Sequence, residues 1–463
     1  MSILAPIALI GWIPFILAVF CFYRPRTAVL ISLFGAWMFL PMAGISIPGF
    51  PDYGKISAGP VAAMLGVLLF DADRLRRIRW SLWDLPLFVV IASPMVSSIN
   101  AGYGSYDGVA TVVNVLITCG IAYILGRAYF SDAEGRRSLA MAFFIAGLIY
   151  VPFCLFEMRL SPQLHHFVYG FTQHEFAQTR RMGGWRPMVF MQHGLAVGLF
   201  MSAAAAVGVW LWMTRQCKSV MGLPIGLAVL VLLITAILCK SAFAIALLAV
   251  ALAMMGLVRG TRLTVPLVLL ALLPPAYMVG RITGYIQSST LIEMAEPVAG
   301  KRIGSLETRI ASEDVLIPLA MKHPLWGVSR WASLIQDRQG NRTDTDDFGV
   351  KVIPDALWII TLATRGLVGL GALVLVFFVP VLALVHLRQK NRNAPVLAAF
   401  DPATALALVL IMHMADNVLN AMVSPVYWLI AGGLTGILST RSTVHRPVRS
   451  TPIIQGQRHL GSH

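Results

Sequence analysis

Thirteen apolar stretches constrain this chain more than any other feature of its sequence. They lie near residues 2–22, 27–45, 57–70, 82–99, 108–126, 139–156, 187–213, 222–239, 241–258, 263–282, 366–387, 401–420 and 424–439. A helix needs about 20 apolar residues to cross a bilayer, and most stretches approach that length. Because 57% of the residues are hydrophobic and only 12% are charged, one water-soluble core cannot hold them. We predict an all-α polytopic membrane protein with about 12–13 transmembrane helices.

Positive charge in the loops predicts the orientation of these helices. Lysine and arginine accumulate in loops that stay cytoplasmic during insertion. Clusters follow alternate apolar stretches: Arg74, Arg76, Arg77 and Arg79, then Arg136 and Arg137, then Arg388 and Arg392. We therefore expect these loops and the carboxyl terminus in the cytoplasm, and the amino terminus outside. The same rule accounts for the net charge of +15, so nucleic acid is not an expected partner.

Two long loops on the external side divide the chain. We predict an N-terminal transmembrane bundle over residues 1–282, which includes an external loop at 157–186, and a large, partly helical external loop over 283–354. C-terminal transmembrane helices follow at 355–439, and a basic cytoplasmic tail at 440–463. Apolar residues at helical spacing predict a helix in the large loop: Ile310, Leu316, Leu319 and Ala320.

The insertion rule does not explain arginines on the external side. The stretch TRRMGGWRPMVFMQHG, residues 179–194, contains Arg180, Arg181 and Arg186 beside two adjacent glycines, followed by Gln192 and His193. Only Glu157 and Glu175 oppose its charge within that loop. Arginine binds phosphate oxygens in a bidentate manner, and glycines let a ligand approach the backbone. The stretch favours a site for a phosphorylated lipid, with simple headgroup contact as the alternative.

Further polar residues lie at the external ends of apolar stretches. Lys240 and Ser241 separate two of them, and Asp355 stands where the large loop re-enters the membrane. His413, Asp416 and Asn417 lie near the external end of a late stretch. Ionisable groups at membrane depth are costly and usually face a cavity. The alternative is that they only hydrogen-bond neighbouring helices.

The order of these features resembles the O-antigen ligase and Wzy-type polysaccharide polymerase superfamily. The resemblance covers roughly residues 140–390. It rests on the arginine-bearing loop before a helix, and on Arg309 and the His323-Pro324-Leu325-Trp326-Gly327 turn in the large external loop. It also rests on Asp355, which lies about eleven positions before the pair Gly366 and Gly369. Each motif is loose alone, but their order and sidedness agree.

The resemblance implies a glycosyltransferase with a GT-C-like architecture in the bacterial inner membrane, its active site facing the periplasm. Such proteins move a glycan from undecaprenyl pyrophosphate to a glycan hydroxyl without a metal or other cofactor. We expect a polymerase of exopolysaccharide, capsule or O-antigen repeat units. The alternatives are a ligase that transfers glycan to lipid A-core, and a flippase or transporter of lipid-linked oligosaccharide. The expected partners are the lipid-linked oligosaccharide, an acceptor glycan, membrane lipids and polysaccharide-export proteins.

The resemblance also assigns roles to residues. Candidates for binding the pyrophosphate or glycan are Arg180, Arg181, Arg186, Lys240, Ser241, Arg309, Gln192 and His193. Asp355 is the candidate base, at a position where ligases of the family carry histidine, and this departure favours a polymerase. An aspartate can act as a base when desolvation raises its pKa. Glu157 and His323 are the alternative bases, and His323 can equally be a helix-ending turn residue.

Overall fold

The computed structural model describes residues 2–48, 50–261, 263–299, 303–329, 355–390 and 401–439. Within these ranges, eight helices are long and apolar enough to cross a membrane, and five shorter apolar helices accompany them. The chain is therefore an all-α polytopic membrane protein, as predicted. The predicted basic tail and the end of the large loop, residues 330–354, lie outside the described residues.

The N-terminal part contains nine α-helices and one short antiparallel hairpin. The helices are α1 Leu4–Phe22, α2 Pro25–Phe39, α3 Lys55–Phe70, α4 Ala72–Arg76, α5 Leu85–Asn100, α6 Gly104–Val115, α7 Ile121–Tyr129, α8 Ala133–Leu160 and α9 Leu164–Tyr169. Strands β1 Gly44–Ile45 and β2 Tyr53–Gly54 pair before α3. A π-helical turn, Leu116–Gly120, joins α6 to α7, so these form one continuous span.

The remaining described elements are two further hairpins and nine further helices. The strands are β3 Arg180–Arg181 with β4 Gly184–Trp185, and β5 Ser219–Val220 with β6 Leu223–Pro224. The helices are α10 Gly194–Met213, α11 Ile225–Leu238, α12 Ala242–Thr261, α13 Val265–Ile282, α14 Ser288–Ala299, α15 Ile303–Ala320, α16 Leu357–Lys390, α17 Ala403–Leu419 and α18 Pro425–Thr435. Helix α15 confirms the helix predicted in the large loop.

Helix α10 is the centre of the bundle. It packs against α8, α11, α12 and α17, and almost its whole length is buried. Small residues allow this close packing: a Cβ added at Gly147 of α8 would come within 2.5 Å of Ala204, and one at Gly208 within 2.4 Å of Phe144. Close approach between small residues is typical of helix interfaces in membranes.

The loops segregate to two opposite faces. Three ion pairs link basic residues on one face, which we call the arginine face: Arg26–Asp132 at 3.2 Å, Arg127–Asp84 at 2.9 Å, and Arg136–Asp401. Contacts on the other face, the site face, join the other loops: Ser2 N–Tyr169 O at 3.0 Å, Lys55 Nζ–Leu40 O at 2.8 Å, and Leu357 N–Asn420 O at 3.2 Å. This segregation agrees with the alternation predicted from the arginines.

The apolar stretch 187–213 is not a single helix, contrary to the sequence prediction. Helix α10 begins only at Gly194, and residues before it form a buried, irregular segment. Val189 has φ of 51°, a conformation that a β-branched residue rarely adopts and a helix excludes. Hydropathy did not reveal this, because residues 188–191 in the middle of the irregular segment are as apolar as the helix.

Helix α16 also differs from the predicted stretch 366–387. It begins at Leu357 and is broken at Gly366, where φ is 64° and ψ is −167°. Backbone of the segment after α15 docks into the break, with Leu367 N donating to Pro324 O at 2.7 Å and Val328 N donating to Ala363 O at 2.9 Å. The predicted turn around Gly327 therefore satisfies backbone groups that the broken helix leaves free.

Candidate functional site

Glu157, an alternative base in the sequence analysis, anchors the arginine-bearing loop. It lies in the last turn of α8 and is only 1% exposed. Its Oε1 accepts from Leu164 N at 3.0 Å, and its Oε2 accepts from Met188 N at 2.8 Å and Val189 N at 2.7 Å. Because both oxygens are occupied by backbone donors, this carboxylate positions the loop and does not face a substrate.

The first two arginines of the loop lie on the β3–β4 hairpin. Met182 and Gly183 form its tip with positive φ values, 48° and 70°. Arg180 is exposed, and its guanidinium lies 6.0 Å from the ring centroid of Trp185. Arg181 is also exposed, but it interacts electrostatically with His193. The hairpin therefore directs Arg181, and not Arg180, towards the other candidate residues.

Two glycines of the loop make room for cationic side chains. A Cβ at Gly184 would lie 1.9 Å from the Lys240 Nζ, and a Cβ at Gly194 would lie 2.3 Å from the Arg186 Cδ. Arg186 also donates from Nη2 to the Lys240 carbonyl at 3.1 Å. Lys240 fills the space beside Gly184, whereas a Cβ added at Gly183 would meet nothing within 4 Å. Gly184 and Gly194 thus leave room for Lys240 and Arg186 to come together.

His193 is the N-cap of α10 and a fixed hydrogen-bond donor. Its Nδ1 accepts from Leu195 N at 2.9 Å, so the neutral ring carries its proton on Nε2. The pKa of His193 is lowered to about 3, chiefly by burial and also by the nearby His174, Arg186, Arg309 and Arg181. The His174 ring lies 4.5 Å away, centroid to centroid. His193 therefore stays neutral among several cations.

Arg309, on α15, forms the second side of the site. Its Nε lies 3.6 Å from Asp355 Oδ2, so the candidate base forms an ion pair with a candidate substrate-binding arginine. Both line a shallow depression, together with Ser312, Glu313 and Ile359. Arg309 is also close enough to interact electrostatically with His193 and with Asp416 of α17. It thus links the large loop to the arginine-bearing loop.

A buried ion pair fixes α15 below Arg309. Glu313 Oε2 accepts from Arg281 Nε at 3.0 Å and from Tyr277 OH at 2.8 Å, while Oε1 accepts from Trp358 Nε1 at 3.2 Å. Burial raises the pKa of Glu313, and its three donors oppose that rise. Glu313 follows Arg309 by one helical turn. The pair therefore ties the position of Arg309 to α13 and α16.

Polar residues of α17 approach Arg309 from within the bundle. Asp416 Oδ1 accepts from Asn420 Nδ2 at 2.7 Å, and Asn417 Nδ2 lies 3.2 Å from His413 Nε2. All four side chains are buried and, at spacings of three and four, share one helix face. In the described part of the chain, Asp416 Oδ2 has no hydrogen-bond partner. A carboxylate of this kind usually indicates a function.

The other predicted residues lie nearby in structural roles or outside the site. Ser241 packs against Gly198 of α10, whose added Cβ would lie 2.4 Å from the Ser241 Cβ. Gln192 donates from Nε2 to the Met422 sulfur at 3.5 Å. His323 is exposed in the turn after α15, where its carbonyl accepts from Gly327 N at 3.0 Å. That contact fits the alternative role of His323 as a turn residue.

Neither His174 nor the ion pair between Arg281 and Glu313 carries a recognisable signal in the sequence. His174 lies in a polar loop with no motif around it, and its contact with His193 depends on the fold. Arg281 had the appearance of an ordinary residue at a helix end. Asp416 was noted as polar, but its proximity to Arg309 could not be derived from two segments more than a hundred residues apart.

The arrangement is suited to binding an anion. Arg181, Arg186 and Arg309 surround the neutral His193, and Lys240 is held beside Arg186. Guanidinium groups and a fixed N–H donor are the groups that bind phosphate oxygens. In the described residues, no three His, Cys, Asp or Glu side chains form a group that could hold a metal ion.

No family model matches the chain, and no curated protein is significantly similar to it in sequence.

Proposed function

We propose that this protein is a glycosyltransferase that moves a glycan from undecaprenyl pyrophosphate to the hydroxyl of an acceptor glycan. The observation that carries the proposal is the gathering of Arg181, Arg186, Arg309 and Lys240 at one end of a membrane bundle. A diphosphate leaving group needs such positive charge as its bond to the sugar breaks. The resemblance to the O-antigen ligase and Wzy-type superfamily supports the same chemistry.

Asp355 is the proposed base. It takes the proton of the acceptor hydroxyl, the hydroxyl oxygen forms a bond to the anomeric carbon, and the bond from that carbon to the pyrophosphate oxygen breaks. The electron pair leaves with the pyrophosphate, whose charge Arg309 and Arg186 stabilise. Asp355 is half exposed beside Arg309, so an acceptor can reach it. Glu157 is a poorer base, because three backbone donors occupy it.

Under the positive-inside rule, the arginine face is cytoplasmic and the site face is periplasmic. We therefore propose the inner membrane as the location and a GT-C-like arrangement for the fold. Asp355 at the position of the ligase histidine favours repeat-unit polymerisation over transfer to lipid A-core. Polymerisation would build exopolysaccharide, capsule or O-antigen, and it would need polysaccharide-export proteins to carry the product onward.

A flippase for lipid-linked oligosaccharide is the second candidate function, and Arg365 is the observation that favours it. Arg365 lies eight residues into α16, about 12 Å along the helix, beside the break at Gly366. Cys119 of the π-helical turn interacts with it electrostatically. Broken helices and charges at membrane depth are typical of transporters. The transfer proposal is preferred because the cations gather at the site face.

Transfer can be tested with purified protein and a lipid-linked oligosaccharide in detergent, where no membrane separates two compartments. A transferase makes product under these conditions and a flippase does not. We expect Arg309→Ala to lower the rate of product formation about 10²- to 10³-fold, the usual effect of removing one electrostatic donor. A ladder of products would identify a polymerase, and a single transfer would identify a ligase.

Arg159→Ala is the matched control. Arg159 is an exposed arginine in the last turn of α8 at the same face, outside the cluster around His193. Its loss should leave the rate within about twofold of wild type, since exposed charges contribute little. Equal loss in both variants would mean that general positive charge, and not the Arg309 site, supports the activity.

A further inference from the structure

Arg309 interacts with two carboxylates that have very different surroundings. The Asp355 side chain is 52% exposed and lies 3.6 Å from Arg309. Asp416 is only 3% exposed and is within electrostatic range of the same guanidinium. The end of its helix meets the start of α16 through the hydrogen bond from Leu357 N to Asn420 O, 3.2 Å long. Both carboxylates depend on one cation, so an anion that binds Arg309 changes the surroundings of both.

Asp416 has little else to stabilise a negative charge. Asn420 donates to its Oδ1, while Oδ2 has no hydrogen-bond partner in the described part of the chain. Among the described residues, Tyr427 of α18 also interacts with Asp416 electrostatically, and the Tyr427 ring stacks on His413 with the ring centroids 3.9 Å apart. Arg309 is the permanent positive charge in this group.

A buried carboxylate is stable when a cation compensates it and costly when that cation is lost. Pyrophosphate carries more negative charge than a single arginine neutralises. Once it binds Arg309, the field at Asp416 changes from attractive to repulsive, and the buried carboxylate is destabilised. The Asp355 carboxylate is not destabilised in this way, because it is exposed and water solvates it.

We infer that Asp416 is a proton-binding site that fills when an anion occupies Arg309. The inference rests on the proposed function, since it takes that anion to be the pyrophosphate of the substrate. The proton comes from water and binds Oδ2, the unpartnered oxygen. The same anion separates Asp355 from Arg309 and leaves the Asp355 side chain exposed without an ion-pair partner. One binding event therefore neutralises the buried acid and frees the exposed one to act as the base.

Infrared difference spectroscopy with inorganic pyrophosphate tests this directly, because pyrophosphate has no carbonyl band of its own. Adding it to the wild-type protein should produce the C=O band of a protonated carboxyl group. The band should shift when the aspartates carry ¹³C. Asp416→Asn should remove the band, and Asp355→Asn should keep it. Arg309→Ala should weaken pyrophosphate binding and remove the band.

Two outcomes would overturn the inference. One is saturable pyrophosphate binding by wild type without a new carboxyl band, and the other is a band that survives in Asp416→Asn. The wild-type result decides the matter even if Asp416→Asn does not fold. Failure of wild type to bind pyrophosphate at all is a different result, which would refute the anion site of the proposed function and so remove the premise.

Discussion

Glu157→Gln should loosen the arginine-bearing loop without acting on the chemical step. The glutamine side chain is nearly the same size, so packing around the end of α8 is kept. It has one carbonyl oxygen where the carboxylate has two, however, and three backbone N–H groups point at this position. An amide can serve the Met188 and Val189 donors, but its NH₂ group then faces Leu164 N, also a donor.

The cost follows from these three hydrogen bonds. A hydrogen bond to a charged group contributes about 1.5–3 kcal/mol, and one between neutral groups about 0.5–1.5 kcal/mol. The variant loses the charged hydrogen bond from Leu164 N and weakens those from Met188 N and Val189 N, which together costs about 3–5 kcal/mol. Val189, held at a φ of 51°, then loses part of what keeps it there. Since about 1.4 kcal/mol is a factor of ten, the loop should open at least 100-fold more often.

Hydrogen exchange in detergent measures this opening at Leu164, Met188 and Val189. We expect exchange at these amides to accelerate about 100-fold or more. Pyrophosphate should bind more weakly, because Arg186 directly precedes Pro187 and Met188 and moves with them. Glu175→Gln is the matched control: this glutamate is exposed in the same loop and should change exchange little. If Glu157→Gln leaves exchange and binding intact but abolishes transfer, Glu157 is a base and the positioning role is refuted.

Two further predictions concern α16 and α10. Gly366→Ala should destabilise the protein by about 2 kcal/mol or more, because its Cβ would lie 2.3 Å from the Leu325 carbonyl at a φ of 64°. Gly371→Ala on the same helix is the control: its added Cβ meets no atom within 4 Å, so it should not destabilise the protein. Equal melting temperatures of the two variants would refute the docking of the turn into the helix break. The pKa of His193 is about 3 in the folded protein and about 6.5 in the unfolded chain. Because only the unfolded chain takes up this proton between pH 7 and pH 5, acidification over that range should lower the free energy of unfolding by about 2 kcal/mol. His193→Asn keeps the cap and should lose that acid sensitivity; an unchanged pH profile of unfolding would contradict this.

The transmembrane architecture could be predicted from sequence because its causes are local. Apolar length determines where a helix can cross, and arginine clusters such as Arg74–Arg79 determine which ends share a face. The helix in the large loop was likewise visible in the spacing of Ile310 and Leu316. The start of α10 and the break at Gly366 could not be predicted from the sequence, because both depend on backbone partners far away in the chain.

Part of the candidate site could be predicted and part could not. Charge that the insertion rule leaves unexplained drew attention to Arg186, and the resemblance drew attention to Arg309 and Asp355. The contacts between these residues depend on the tertiary structure. Lys240 lies against Gly184, and Glu157 accepts hydrogen bonds from three backbone N–H groups. Asp416 reaches Arg309 only because α17 packs inside the bundle.

The position of bound undecaprenyl pyrophosphate tests the central claim most directly. Cryo-electron microscopy of the protein with this lipid should show the diphosphate at the site face. Its oxygens should lie about 2.7–2.9 Å from guanidinium nitrogens of Arg309 and Arg186, the usual distance of such charge-assisted bonds. Asp355 should then have left its ion pair with Arg309. A diphosphate bound at the arginine face, or at the site face away from Arg309, would contradict the account.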